Sequence, residues 1–179
     1  MKRITLTFTS VLLVALGTIQ AQPVPKRQFT VGLVATRFAN FDGEEQLSQI
    51  DHPVGVGAIV GYRFHEYFGL GLTAEYFTGN MERFSGTEKD TRVHFSGFIF
   101  PFGVTRVAPY LSAGMVFTHQ KLEFADAPHE TDTSVDGRFG AGVDIPLLPA
   151  VDLNLDVGTY SSGLSFLGWA SSVGLRLNL

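Results

Sequence analysis

The sequence predicts an all-β fold, an eight-stranded up-and-down antiparallel β-barrel. Apolar and polar side chains alternate over eight stretches, which is the period of two that a β-strand imposes. The connections between them alternate between long and short, as expected when neighbouring strands run in opposite directions around one sheet. The predicted strands cover residues 29–38, 54–64, 68–77, 92–101, 110–121, 135–145, 151–160 and 169–179.

The segment before the first strand predicts a secretory signal peptide over residues 1–21. It begins with Lys2 and Arg3, continues with a short apolar run and ends on small residues, the order that export signals follow. The apolar run is too short to cross a bilayer as a helix. Residues 22–28 then form a short N-terminal segment, and the barrel domain covers residues 29–179.

Charge and composition exclude several classes of protein. Removal of Lys2 and Arg3 changes the formal charge from −4 to −6, and no basic cluster offsets it, so nucleic acid is not expected as a partner. Cysteine is absent, so neither disulfide bonds nor thiolate chemistry are available. Three lysines remain, Lys26, Lys89 and Lys121, whereas a soluble β-protein usually protects its outer face with many.

Each predicted strand has an apolar face, which carries large side chains and no charge at its central positions. The opposite face carries glycine, small residues and charges of both signs. In chain order the apolar faces are formed by Phe29, Val31, Leu33 and Ala35; Val54, Val56, Ala58, Val60 and Tyr62; Phe68, Leu70, Leu72, Ala74 and Tyr76; Val93, Phe95 and Ile99; Leu111, Ala113, Met115 and Phe117; Val135, Phe139, Ala141, Val143 and Ile145; Val151, Leu153, Leu155 and Val157; and Val173, Leu175, Leu177 and Leu179.

The connections place all long loops at one end of the barrel and all tight turns at the other. The long ones are residues 40–53, 79–90, 122–134 and 161–168, and the short ones are 65–67, 103–109 and 146–150. Aromatic residues gather at both strand ends, as in the two interface belts of a membrane protein. They are Phe29, Tyr62, Phe64, Tyr67, Phe68 and Phe102 near the turns, and Phe38, Tyr76, Phe77, Phe117 and Trp169 near the loops.

Two architectures fit eight such strands, a lipocalin-like soluble barrel and a transmembrane barrel with its apolar face outward. Small residues and mixed charges suit the crowded inside of a narrow barrel better than a solvated exterior. Ten residues at about 3.3 Å each, tilted by about 40°, also rise roughly 25 Å, the height of the apolar band of such barrels. The sequence therefore predicts a transmembrane β-barrel, with a lipocalin-like periplasmic binding barrel as the alternative.

The inward charges are predicted to form a structural network that fills the interior. Near the turns, Asp144, Asp152, Arg176 and Asn178 are expected to cluster, and Glu75 is expected to face His94 across the ladder if the connecting loop is symmetric. An eight-stranded barrel is barely wide enough for its own side chains, which favours a plugged interior over an open pore. The predicted network comprises Arg63, Glu75, His94, Arg138, Asp144, Asp152, Asp156 and Arg176.

With these features the chain resembles the small eight-stranded outer-membrane β-barrel proteins of OmpA/OmpX type, the outer membrane protein beta-barrel domain family. The resemblance rests on the export signal, the alternating loops, the segments GYRFHEYFGLGLTAEYF and PYLSAGM, and the alternation of Val173, Leu175, Leu177 and Leu179. The last residue of this chain is Leu179, whereas members of the family typically end in an aromatic residue. The resemblance implies location in the outer membrane, contact with its lipid, insertion by the barrel-assembly machinery and a monomeric state.

The function expected from the sequence is structural, or binding and adhesion through the loops, without a cofactor. The alternative is a lipid A-modifying enzyme, because some barrels of this size carry His, Ser and an acid on their lipid-facing side or at its rim. Here His94 and Ser96 share a strand face, but it is the one predicted to be interior. The other candidates lie in or near loops: His52, His119, His129, Ser161, Ser162 and Ser165. Asp126, His129, Glu130 and Asp132 lack a metal-ligand spacing, so no metal site is expected.

Overall fold

Eight antiparallel strands form the structure, a computed structural model that describes residues 28–40, 53–80, 86–103, 107–124, 128–163 and 165–179. The predicted signal peptide and the loop over residues 41–52 lie outside these residues. Within the described ranges, no helix is long and apolar enough to span a bilayer. The strands are β1 Gln28–Asn40, β2 Val54–His65, β3 Phe68–Asn80, β4 Gly86–Ile99, β5 Ala108–Phe124, β6 Glu130–Leu148, β7 Val151–Ser162 and β8 Ser165–Asn178.

The sheet closes on itself, which confirms the predicted barrel. Each strand pairs with its sequence neighbours, and β8 returns to pair with β1 in the order β1-β2-β3-β4-β5-β6-β7-β8. Leu33 faces Leu175 across this closing seam, and the backbone N–H of Leu179 donates to the carbonyl of Phe29 at 2.9 Å. Closure removes the open edge, whose unpaired backbone groups would each cost several kcal/mol in lipid.

The apolar face is the outer one. Leu33 is 72 % exposed and Phe139 is 54 % exposed, whereas Arg92 and Glu88 are completely buried inside the barrel. A lipocalin-like fold has the reverse arrangement, with apolar side chains inside and polar ones in water. The orientation found here is that of a barrel surrounded by lipid.

The aromatic belt at the loop end is smaller than predicted. Tyr76, Phe117 and Trp169 point outward, but Phe38 and Phe77 are fully buried in the interior. The reason lies in the strand period, because Phe77 follows the outward-facing Tyr76 and must therefore point inward. The two inward rings form part of the core rather than an interface belt.

Four strands extend further at the loop end than the alternating apolar pattern predicts. The ladder of β3 and β4 continues to the pair Asn80 and Thr87, and that of β5 and β6 continues to Leu122 and Glu130. Most of the predicted loops 79–90 and 122–134 is therefore strand. These extensions carry polar side chains on both faces, since a strand that leaves the membrane has no lipid-facing surface to keep apolar. An apolar alternation marks only the part of a strand within lipid.

The outward orientation predicts a steep cost for a charge on the membrane-facing surface. Leu33→Arg should lower the free energy of unfolding by about 2–4 kcal/mol, the cost of arginine at the bilayer midplane. Thr87→Arg is the matched control, because Thr87 also points outward but lies on the polar extension of β4, and it should change stability by less than about 0.5 kcal/mol. Denaturant unfolding in lipid vesicles measures both, and equal effects would contradict the assigned orientation.

Candidate functional site: the polar interior of the barrel

Near the turn end, Asp144 of β6 is the centre of a group of polar side chains. Arg176 of β8 contacts both of its carboxylate oxygens, at 3.0 and 3.1 Å. Asn154 of β7 donates to the same carboxylate at 2.8 Å. The three strands are neighbours in the sheet, so the ladder alone brings these inward positions together.

Two further predicted network residues lie at this end but pair with amides rather than with opposite charges. Asp152 accepts a hydrogen bond of 2.8 Å from the Asn178 side chain. Arg63 donates to Gln28 at 2.9 Å, and its guanidinium stacks over the Phe100 ring at 4.7 Å from the centroid. The predicted cluster of Asp144, Asp152, Arg176 and Asn178 is thus present as two adjacent pairs.

In the middle of the barrel, Tyr110 links the turn-end group to the next pair of charges. Its hydroxyl accepts from Asn154 at 2.8 Å and donates to Asp156 at 3.0 Å. Asp156 in turn forms an ion pair with Arg138. Tyr110 reaches across the interior because Gly142 has no side chain, and a Cβ there would collide with the phenol ring. Sequence reasoning did not assign Tyr110 to the network, since an aromatic residue at a strand start resembles a belt residue.

On the other side of the barrel, Glu75 of β3 contacts His94 of β4, at 2.7 Å between Oε2 and Nε2. The predicted register was wrong by two residues, because Glu75 lies directly opposite Arg92, and His94 lies opposite Thr73. The connection between β3 and β4 is therefore not symmetric about the expected centre. The contact forms nevertheless, because long side chains reach diagonal neighbours on one face of a sheet. Thr36 also donates to Glu75.

Toward the loop end, Arg92 lies between two phenyl rings. Its guanidinium is 4.6 Å from the centroid of Phe38 and 4.6 Å from that of Phe77, and it forms a 2.9 Å ion pair with Asp90. Phe77 fits because Gly55 opposes it, where an added Cβ would lie 2.5 Å from the ring. This group of four residues, here called the loop-end clamp (Arg92, Asp90, Phe38, Phe77), crosses the interior.

The acidic residues of the loop end were missed by sequence reasoning. Glu88 and Asp90 are completely buried, and Gln120 donates to Glu88 at 3.0 Å. Both acids lie in the segment that was expected to be a loop. The signal that would have found them is the inward series Glu88, Asp90, Arg92 and His94, which keeps the strand period without interruption.

Little space remains between these groups. A cavity of about 40 Å³ lies beside Glu75, His94 and Arg138, and another of about 30 Å³ lies beside Arg63 and Asp144. Each has room for a few water molecules, which need about 10–15 Å³ of such volume apiece. Within the described ranges, no three His, Asp or Glu side chains are arranged to hold a metal ion.

Comparison with solved structures shows the same fold in known outer-membrane barrels. OprG of Pseudomonas aeruginosa has a TM-score of 0.66 at 16% identity, covering 86% of this chain and 96% of OprG. The N-terminal β-barrel domain of Pseudomonas aeruginosa OprF has 0.60 at 16% identity, covering 84% and 97%. Ail, the attachment invasion locus protein of Yersinia pestis, has 0.55 at 17% identity, covering 86% and 97%.

The family follows from the sequence comparison. No curated protein matches the chain significantly, but the family model for the outer membrane protein beta-barrel domain matches residues 9–176, which is nearly the whole chain. Together with the apolar outer face, this match places the protein in the outer membrane. The chain belongs to the outer membrane protein beta-barrel domain family.

Proposed function

We propose that this protein is a closed, non-conducting outer-membrane scaffold whose loops carry a binding or adhesion role. The observation that carries the proposal is the loop-end clamp, in which Arg92 is held between Phe38 and Phe77 across the interior. A solute moving along the barrel axis would have to displace a guanidinium that is paired with Asp90 at 2.9 Å.

Several layers of contacts below the clamp support a closed interior. Asp144 with Arg176, Asp156 with Arg138, and Glu75 with His94 bridge different strands at successive heights. An eight-stranded barrel encloses just enough width for side chains to fill. Each of the two small cavities between the layers has room for a few water molecules, and neither reaches the size of a solute path.

A structural role accounts for the inward charges without chemistry. Removing one partner of a buried ion pair leaves an uncompensated charge and typically costs about 3–5 kcal/mol. The stability of the barrel therefore depends on these interior pairs. The His–acid pair His94 and Glu75 lies inside the wall, where a lipid acyl chain in the membrane does not reach it. This location supports a non-enzymatic role over a lipid A-modifying enzyme.

The binding role is assigned to the loops, because a rigid scaffold with variable connections is a common way to present a recognition surface. Ail, which has the same fold, has been solved in complex with the heparin analogue sucrose octasulfate. The proposal also includes export through cleavage of residues 1–21, insertion by the barrel-assembly machinery, and a monomeric barrel in outer-membrane lipid. N-terminal sequencing of the mature protein, expected to begin near Gln22, tests the cleavage.

The interior network predicts that Arg176→Met is strongly destabilising. The substitution leaves Asp144 buried without its cation, so the unfolding free energy should fall by about 3–5 kcal/mol, and the folded band on an unboiled gel should convert at a lower temperature. Arg37→Met is the matched control, because Arg37 is exposed on the outer face and its loss should cost less than about 0.5 kcal/mol. If both variants convert at the same temperature, the network does not stabilise the barrel.

The clamp predicts the conductance of the barrel in a planar bilayer. The wild-type protein should show no stepwise current, whereas Phe38→Ala/Phe77→Ala, which removes both rings around Arg92, should produce discrete openings. Phe139→Ala, which truncates an outward-facing ring, is the control and should remain silent. Regular openings in the wild-type protein would contradict the closed interior.

The loop-mediated role predicts a separation of folding from binding. Replacing residues 41–52 with a short Gly-Ser linker should leave the heat-modifiable folded band unchanged. Attachment of bacteria that display the protein to cultured epithelial cells should then fall toward the level of bacteria without it.

Mass spectra of lipid A should be identical with and without the gene, and an altered acyl pattern would instead support the enzyme.

A further inference from the structure

The outer surface formed by β3 to β6 changes character in three steps as these strands leave the membrane. Each step is a row of four side chains that face one another across the ladder. From the membrane outward, the rows are Ala74, Val93, Phe117 and Val135; Tyr76, Thr91, His119 and Thr133; and Thr78, Lys89, Lys121 and Thr131. The first row is apolar, the second amphipathic and the third polar and cationic.

The third row lies at the height of lipid headgroups. Lys121 follows Phe117 by four residues on the same face, so about 13 Å of strand separates them, or roughly 10 Å in height at a tilt of about 40°. Long loops of these barrels face the cell exterior, so the row belongs to the outer leaflet. It therefore meets headgroups rather than acyl chains.

Two lysines directly opposite each other are unusual, because like charges at paired positions destabilise a sheet. Lys89 and Lys121 are such a pair, and they are two of the four lysines in the whole sequence. Glu123 bridges them, with its two carboxylate oxygens each 2.7 Å from one ammonium. The three side chains together keep a net charge of plus one on the outer surface.

The two ammonium groups remain available to a further anion. Each has three N–H donors, one of which goes to Glu123, and the lysine side chains are 39% and 43% exposed. The hydroxyls of Thr78 and Thr131 flank them in the same row and are exposed as well. Two ammonium groups on adjacent strands suit the oxygens of a phosphate group, and Lys is a common phosphate ligand.

We propose that Lys89 and Lys121 form a binding site for a phosphate group on the headgroup of an outer-leaflet lipid. The apolar and amphipathic rows beneath the pair hold the acyl part of the lipid against the barrel wall, and the lysines hold its phosphate. Glu123 positions both ammonium groups and competes with the phosphate for them.

Glu123 and Lys89 keep their charges near neutral pH. Hydrogen bonds from Lys121 and Lys89 lower the pKa of Glu123 to about 2, and the hydrogen bond to Glu123 raises the pKa of Lys89. A carboxyl group with a lowered pKa stays ionised until the pH falls through that value. Binding should therefore respond to salt, and a change of Kd between about pH 5 and pH 8 would reflect the second ionisation of the phosphate group, whose pKa is about 6, rather than a change in Glu123 or Lys89.

The test measures the Kd of bisphosphorylated lipid A for the detergent-solubilised barrel, with chemically dephosphorylated lipid A as the second ligand. Lys89→Gln/Lys121→Gln should weaken binding of the phosphorylated lipid by about tenfold or more, since each surface cation contributes about one factor of five. The same variant should not change the Kd of dephosphorylated lipid A. Lys89→Arg/Lys121→Arg, which keeps both charges, is the matched control and should bind as the wild type does.

Glu123→Gln separates a phosphate site from a merely structural ion-pair cluster. It removes the competing carboxylate, so binding of the phosphorylated lipid should tighten by about fivefold, a gain that loss of folding cannot produce. An unchanged Kd in both glutamine variants would overturn the proposal. Glucose 1-phosphate offers the same phosphate chemistry without acyl chains, and binding of it as tight as that of the lipid would overturn the lipid source.

Discussion

Every inward-pointing charge of this barrel must find its partner within the narrow interior that eight strands enclose. Alternation sends each second residue inside, and a barrel of eight strands is just wide enough for these side chains. Asp156 with Arg138 meets this constraint by bridging the neighbouring strands β7 and β6, and Asp144 with Arg176 by reaching from β6 past β7 to β8. These contacts depend on the register of the sheet, on the positions of the inward glycines and on the length of the Tyr110 side chain.

The number of strands, their order and the direction of their faces follow from the sequence, because lipid requires an apolar side chain at nearly every outward position within the bilayer. A stretch such as Val151 to Val157 shows its orientation in its own alternation. Loop boundaries were less accessible, since β4 begins at Gly86 with polar residues on both faces. Outside lipid, a strand of the same geometry does not need apolar residues at alternate positions, so the sequence does not show it as a strand.

The interior was predictable in composition but not in pairing. The eight expected network residues could be named from their faces, yet the choice of partner depends on register and on diagonal reach. Glu75 meets His94 from a position opposite Arg92, which depends on the length of a connection that the alternation does not define. Arg92 contacts the rings of Phe38 and Phe77. An inward aromatic residue is hard to distinguish from a belt residue unless it is known which positions of the strand face inward.

The outer surface and the interior solve related problems in opposite ways. Inside, charges of opposite sign are brought together and shielded from water. On the wall above the apolar band, Lys89 and Lys121 are placed side by side with a single carboxylate between them. A surface that tolerates such repulsion has a surplus of cationic donors where the membrane presents anions.

The polar extensions of β5 and β6 also determine how far the described strands rise beyond the apolar band. β6 has 19 residues, which at about 3.3 Å each and a tilt of about 40° rise nearly twice the height of the apolar band. The ladder of β5 and β6 therefore continues beyond the apolar band to the pair Leu122 and Glu130. Its described end is held by backbone hydrogen bonds at the membrane surface, where large molecules approaching from outside can contact it.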